Sequence, residues 1–136
     1  AAMTDPRFRI ALVEDNADNR LLLDAILGDR YALVEYATGP EALVGLRADP
    51  PDLVLLDVSL PGMDGPEVLS HLRRVPAFDD VPVLALTAHA MAGDRARLLA
   101  AGFDDYLSKP IMDEDALLAT IARWLATRRS ANPGAA

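Results

Sequence analysis

Residues 53–65 read LVLLDVSLPGMDG, and this stretch decides the fold. Its first four residues are all aliphatic, which is typical of a strand that is buried on both faces of a parallel sheet. The run ends directly at Asp57, and Pro61 with Gly62 then indicates a turn. Ligands of open parallel sheets bind outside the carboxyl ends of the strands, so Asp57 is predicted to lie at a binding edge.

Three other apolar runs end at residues that are suited to the chemistry of phosphate. Those residues are Glu14 with Asp15, Thr87, and Lys109. Together with Asp57 they comprise two acids that can hold a cation, a carboxylate nucleophile, a hydroxyl and an ammonium. Because the carboxyl ends of parallel strands meet at one edge of the sheet, we expect these residues to converge there.

Apolar runs of strand length alternate with helical patterns along the chain, which indicates repeated strand-helix units. The predicted strands are residues 9–13, 33–36, 53–56, 82–86 and 105–107. The predicted helices are residues 17–27, 40–48, 66–75, 91–101 and 114–126. Right-handed crossovers then favour an α/β fold, a doubly wound three-layer sandwich of the flavodoxin-like type with strand order 2-1-3-4-5.

Composition and charge narrow the class of protein. The 136 residues suit one domain, predicted at residues 8–127, with a flexible tail at 128–136. No apolar stretch approaches the roughly 20 residues of a membrane span, and residues 1–9 lack a signal-peptide core, so we expect a cytoplasmic location and no membrane partner. The absence of cysteine excludes disulfides and thiol catalysis. A net charge of -8 argues against unaided nucleic-acid binding.

The acids at the predicted edge suggest a metal-assisted site. A carboxylate such as that of Asp57 can act as a nucleophile toward phosphorus. Neighbouring acids repel one another, which favours a bound cation. Mg²⁺ fits best, with Mn²⁺ as a substitute, and its ligands would be Asp15, Asp57 and the carbonyl of Ser59, with Glu14 acting through water.

Lys109 could pair with phosphoryl oxygens, and Thr87 offers a hydroxyl to another oxygen. Each residue alone also has an ordinary explanation. Glu14 and Asp15 could begin a helix, Asp57 and Thr87 could cap a turn or a helix, and Lys109 could be a solvated surface charge. The occurrence of all of them at strand ends favours a single shared site.

At these residues the chain resembles the receiver domain of bacterial two-component response regulators, the CheY-like family. The matching segments are VEDN at 13–16, LDVSLPGMDG at 56–65, LALTA at 84–88 and YLSKP at 106–110. Segments 14–20 and 87–94 are most similar to single-domain regulators and hybrid-kinase receivers. The resemblance implies that Asp57 is the phosphoacceptor, that Glu14, Asp15 and Ser59 serve the metal, and that Thr87 and Lys109 contact phosphate.

The resemblance further implies a cis peptide bond between Lys109 and Pro110, and a switch in which Tyr106 turns inward as Thr87 moves. A histidine kinase or histidine phosphotransfer protein would phosphorylate Asp57. The domain would then change its contacts with a downstream protein or a second copy, at the face formed by the fourth helix, fifth strand and fifth helix. On this interpretation the protein is not a turnover enzyme.

Other classes of protein are compatible with parts of the pattern. A phosphatase of the haloacid-dehalogenase type would need its nucleophile after the first strand and an insertion that shapes a substrate pocket. A flavin-binding carrier would need a hydroxyl-rich loop there, whereas this loop is acidic and aromatic residues make up only 5% of the chain. A binding module that works without phosphate also remains open.

Overall fold

The computed structural model describes residues 7–88 and 93–131. The strands are β1 (Arg9–Val13), β2 (Ala32–Tyr36), β3 (Leu53–Asp57), β4 (Val83–Thr87) and β5 (Asp105–Ser108). The helices are α1 (Ala17–Leu27), α2 (Gly39–Ala48), α3 (Gly65–Leu72), α4 (Asp94–Ala101) and α5 (Glu114–Ala131). A short 3-10 helix, Pro76–Phe78, connects α3 to β4.

All neighbouring strands are parallel, and their order is β2-β1-β3-β4-β5, which confirms the predicted topology. Every residue of β3 and β4 is buried, as expected for continuous aliphatic runs in the centre of such a sheet. The chain changes direction between β1 and β3, so the crevice at their carboxyl ends lies where the sequence analysis placed it.

The side chains of β3 alternate between two apolar layers. Leu53 and Leu55 pack with α1 and α5, whereas Val54 and Leu56 pack with α2 and α3 on the opposite face. Helices therefore cover both faces of the sheet, and the predicted three-layer sandwich is confirmed. No helix within the described residues has the length and apolar character needed to cross a bilayer.

Several predicted boundaries differ from the structure. The third helix ends at Leu72 and not at residue 75, because Val75 adopts the extended conformation that is favoured before a proline. The fifth helix continues to Ala131, so the tail predicted from residue 128 is helical in its first part. No glycine or proline occurs between residues 115 and 131 to stop it.

The fourth helix was predicted to begin at residue 91, which lies outside the described residues. Within them, α4 begins at Asp94 after Gly93, whose φ of 98° is readily adopted by glycine. The central strands end one residue later than predicted, so Asp57 and Thr87 are the last residues of β3 and β4.

Arg73 joins three segments at the edge of the sheet opposite the crevice. Its guanidinium donates to the carbonyls of Phe78, Val81 and Gly102 and to Asp104 Oδ2, at 2.8–3.2 Å. Asp104 Oδ2 also accepts from the amide of Val83 at 2.8 Å. The side chain of Arg73 thus connects the end of α3, the loop before β4 and the loop before β5.

We expect Arg73→Ala to lower the free energy of unfolding by about 2–3 kcal/mol, because a partly buried carboxylate and several carbonyls lose their donor. Arg73→Lys should recover only part of this, since an ammonium lacks the planar fork. Urea unfolding measures both. Arg97→Ala is the control, because Arg97 forms an exposed pair with Asp94, and it should change stability by less than about 0.5 kcal/mol. A similarly small effect at Arg73 would contradict the prediction.

Candidate functional site

The predicted residues lie together at the carboxyl ends of four strands. Glu14 and Asp15 follow β1, Asp57 ends β3, Thr87 ends β4, and Lys109 follows β5. The buried polar or charged residues among those described are Glu14, Asp57 and Thr87, with exposed fractions of 0%, 1% and 4%. Their burial at this edge distinguishes them from ordinary surface caps.

The acids form a compact cluster. One carboxylate oxygen from each of Glu14, Asp15 and Asp57 lies within 4.8 Å of the others. Asp15 is exposed, so solvent has access to the cluster from that side. Oxygen donors of this kind are those that Mg²⁺ prefers, and an open side suits an ion that keeps several of its waters. The donor set therefore fits the predicted metal.

Lys109 provides the positive charge of the site. Its Nζ lies 3.0 Å from Asp57 Oδ1 and 3.3 Å from Glu14 Oε2. Burial acts to lower the pKa of Lys109, but its hydrogen bonds and charge pairing with the two carboxylates outweigh burial and raise the pKa above its ordinary value. Lys109 is therefore a permanent cation at neutral pH.

The carboxylate of Asp57 is held in a defined orientation. Its Oδ1 accepts from the amide of Ser59 at 2.9 Å and from Lys109 Nζ. Neither of these contacts uses Oδ2. The predicted role of the Ser59 carbonyl as a metal ligand stays a prediction.

Gly65, at the start of α3, packs against the backbone at the carboxyl end of β3. Its amide donates to the carbonyl of Val58 at 3.1 Å. A Cβ atom at Gly65 would lie 2.8 Å from Val58 Cα and would overlap the carbonyl oxygen of Asp57. Only glycine fits this position without displacing the chain that carries Asp57.

Two residues of α1 hold Glu14, and the sequence analysis did not single them out. Asn19 Nδ2 donates to Glu14 Oε1 at 2.9 Å, and the Arg20 guanidinium donates to the Glu14 carbonyl at 2.7 Å. The amide of Asn16 also approaches Glu14 Oε1, at 3.4 Å. The only signal in the sequence is the presence of hydrogen-bonding residues in the first turns of the helix that follows the acids.

Burial raises the pKa of Glu14, and the neighbouring Asp57 raises it further. The stability that protonated Glu14 contributes is fully present below its ordinary pKa of 4.5, and is lost as pH rises through the raised pKa of the folded state. We therefore expect Glu14→Gln to increase the free energy of unfolding of the metal-free protein at pH 7.

Urea unfolding of the metal-free protein across a pH series measures this effect, with Glu41→Gln on the exposed surface of α2 as the control. The gain of the Glu14→Gln variant over wild type should grow as pH rises through the raised pKa. A loss of stability at pH 7, or a gain that is constant with pH, would contradict the prediction.

The face formed by α4, β5 and α5 contains a groove with a volume of about 410 Å³. Tyr106 of β5 lines it and is partly buried against the core. Met112 lines it as well, and this residue is 87% exposed. Asp105 directly precedes Tyr106 in β5. Its Oδ2 accepts hydrogen bonds from Arg123 at 2.8 Å and from the Trp124 indole at 3.0 Å, and these bonds connect β5 to α5.

The peptide bond between Lys109 and Pro110 is cis, as the family resemblance implied. The family described as the response regulator receiver domain matches residues 10–122. The chain belongs to this family. Its receiver domain is a component of two-component signalling, and the predictions of family and fold are confirmed.

Similar proteins include a histidine kinase and the receiver domain of another. The chain is 41% identical over 106 residues to the signal transduction histidine-protein kinase BarA of Escherichia coli K12. The aligned segment covers 77% of this chain but only 12% of the kinase. The receiver domain of the sensor histidine kinase PA1611 from Pseudomonas aeruginosa has a TM-score of 0.80 and 35% identity, over 88% of this chain and 98% of that one. Its structure has a magnesium ion coordinated in the active-site cleft.

The chemotaxis response regulator CheY4 of Vibrio cholerae has a TM-score of 0.81 and 27% identity, over 87% of this chain and 98% of that one. The receiver fold is therefore shared with a chemotaxis regulator as well as with the receivers of large kinases.

Proposed function

We propose that this receiver is a phosphorylation-dependent switch of a two-component phosphorelay, and that Asp57 accepts the phosphoryl group. The observation that carries the proposal is the environment of Asp57. Its carboxylate is buried at the end of β3, with Lys109 Nζ at 3.0 Å and carboxylate oxygens of Glu14 and Asp15 within 4.8 Å of one of its own. The donor would be a phosphohistidine of a histidine kinase or a histidine phosphotransfer protein.

In the proposed transfer, an oxygen of Asp57 attacks the phosphorus of phosphohistidine. A phosphorus–oxygen bond forms while the phosphorus–nitrogen bond breaks, and the departing imidazole nitrogen keeps the electron pair and takes a proton from water. The Ser59 amide and Lys109 Nζ both donate to Oδ1 of Asp57. We therefore assign the attack on phosphorus to Oδ2. In dephosphorylation, water attacks the phosphorus and the phosphorus–oxygen bond to Asp57 breaks, so inorganic phosphate is released and the carboxylate is regenerated.

Asp15, Asp57 and the Ser59 carbonyl would hold Mg²⁺, with Glu14 acting through water. The ion supplies positive charge that stabilises the oxygens of the transferring phosphoryl group. Lys109 would move from pairing with the carboxylate to pairing with a phosphoryl oxygen, which offsets the charge that transfer adds. Exposed Asp15 lies on the side through which the donor approaches.

The effect of phosphorylation would be transmitted to the α4-β5-α5 face through Thr87 and Lys109. The two residues are already joined, because the amide of Lys109 donates to the carbonyl of Thr87 at 2.8 Å. A Thr87 hydroxyl that turns toward phosphate leaves space beside Tyr106, and the equilibrium at the α4-β5-α5 face shifts toward a state with different partner affinity. The partner would be a downstream protein or a second copy, in the cytoplasm, without direct contact with nucleic acid or membrane.

The experiment is the intact mass of the protein after incubation with acetyl phosphate and Mg²⁺. We expect a gain of one phosphoryl group, about 80 Da, that is absent when EDTA removes the metal. If the phosphoryl group is hydrolysed before it can be detected, beryllofluoride, a stable phosphoryl mimic, should still bind at the site. Its binding is detected by fluorine NMR. A folded protein that gains neither group would overturn the proposal and leave a binding module that works without phosphate.

A further inference from the structure

Asn19 has two separate hydrogen-bonding tasks at the start of α1. Its backbone amide donates to the side chain of Asn16, which caps the helix, at 3.0 Å. Its own side-chain amide points back and donates to Glu14 Oε1 at 2.9 Å. Helix capping therefore needs only the backbone of Asn19, and its side chain is committed to Glu14.

The carboxylate of Glu14 is held from two sides. Oε1 faces α1 and accepts from Asn19, while Oε2 faces the site and lies 3.3 Å from Lys109 Nζ. The other donor to Oε1, the amide of Asn16, is more distant at 3.4 Å and is a weaker contact. Removing the Asn19 amide would leave a fully buried oxygen without its principal donor and release the carboxylate to turn about its side-chain torsions.

Glutamate needs such support more than aspartate does, because its side chain has one more rotatable bond. We infer that Asn19 is a positioning residue that fixes the Glu14 carboxylate for metal binding, and that Mg²⁺ affinity depends on it. This inference rests on the proposed function, which places the metal at the same acids. Groups that orient a metal-binding side chain typically change affinity by about 10- to 100-fold when they are removed.

The test is calorimetric titration of Mg²⁺ into the wild type and the Asn19→Ala variant. We expect the dissociation constant to rise about tenfold in the variant. Alanine is the strongest helix former, so α1 should be retained, and urea unfolding without metal checks this. Leu21→Ala is the matched control, because Leu21 lies on the same helix and is 68% exposed. The Leu21→Ala variant should bind Mg²⁺ like the wild type.

A double-mutant cycle separates positioning from a general effect on the helix. Glu14→Asp shortens the acid by one methylene, so its carboxylate cannot reach Asn19. We expect Asn19→Ala to have no effect on Mg²⁺ affinity in the Glu14→Asp background, so the cycle should show a coupling of about tenfold.

Equal Mg²⁺ affinity of the wild type and Asn19→Ala would overturn the inference and leave the proposed function intact. An equal loss in both backgrounds would also overturn it, because the effect would then not act through the length of Glu14. A wild-type protein that does not bind Mg²⁺ would overturn both the inference and the magnesium part of the proposed function.

Discussion

Replacing Asp57 with asparagine is expected to reduce phosphoryl incorporation from acetyl phosphate to background at every Mg²⁺ concentration. An asparagine side chain has nearly the same shape, and its carbonyl oxygen can still accept from the Ser59 amide and Lys109. It lacks the anionic oxygen that we propose attacks phosphorus, so the expected loss is chemical and not structural. Intact mass spectrometry over a time course, repeated across a series of Mg²⁺ concentrations, measures the effect.

Two matched variants distinguish a nucleophile from its surroundings. Asp15→Asn removes a proposed metal ligand but retains Asp57, so phosphorylation should slow and then recover as Mg²⁺ is raised. Asp64 lies in the loop between β3 and α3, and its side chain caps α3. The Asp64→Asn variant should be phosphorylated like the wild type. A phosphoryl adduct on the Asp57→Asn protein, or one that peptide mapping places on another residue, would contradict the assignment.

Gly65→Ala is expected to lower the free energy of unfolding by about 2–3 kcal/mol and to slow phosphorylation as well. The added methyl would overlap the carbonyl of Asp57 and crowd Val58 Cα at 2.8 Å. Backbone atoms cannot turn aside as a flexible side chain can, so α3 and the end of β3 must separate. Urea unfolding and the initial rate of acetyl phosphate transfer measure the two effects.

Gly62→Ala is the control for this prediction, because Gly62 lies in the loop just before α3 and a Cβ atom there would meet no other atom within 4 Å. Its φ of 78° makes alanine unfavourable by about 1 kcal/mol, without pressing on Asp57. We expect its phosphorylation rate to stay near that of the wild type. Equal slowing in both variants would show that loop strain, and not contact with the Asp57 backbone, controls the rate.

The topology and the convergence of the site followed from the sequence because they depend on long-range rules with few exceptions. An aliphatic run without alternation requires burial on both faces, as in residues 53–56, and right-handed crossovers leave few strand orders. Once the order is set, strand ends that are far apart in sequence, such as those at Glu14 and Asp57, must be neighbours, because β1 pairs with β3.

The features that were not predicted, the end of α3 and the contact of Asn19 with Glu14, depend on local interactions between neighbouring residues. The end of α3 was misplaced because the proline at residue 76 constrains Val75, an effect that the helical pattern of residues 66–75 does not reveal. The contact of Asn19 with Glu14 requires side-chain torsions that no pattern of residue types specifies. Asparagine near a helix start ordinarily suggests capping, and here Asn16 performs that task.

The hydrogen bond between Trp124 and Asp105 gives the protein an optical probe of its own. Trp124 is the single tryptophan of the chain, and its indole is bonded to the residue that directly precedes Tyr106 on β5. A change in the packing of β5 against α5 would alter the polarity around the indole and hence its emission. Fluorescence of the unlabelled protein can therefore follow the α4-β5-α5 face in real time, while mass spectrometry follows the proposed phosphorylation of Asp57.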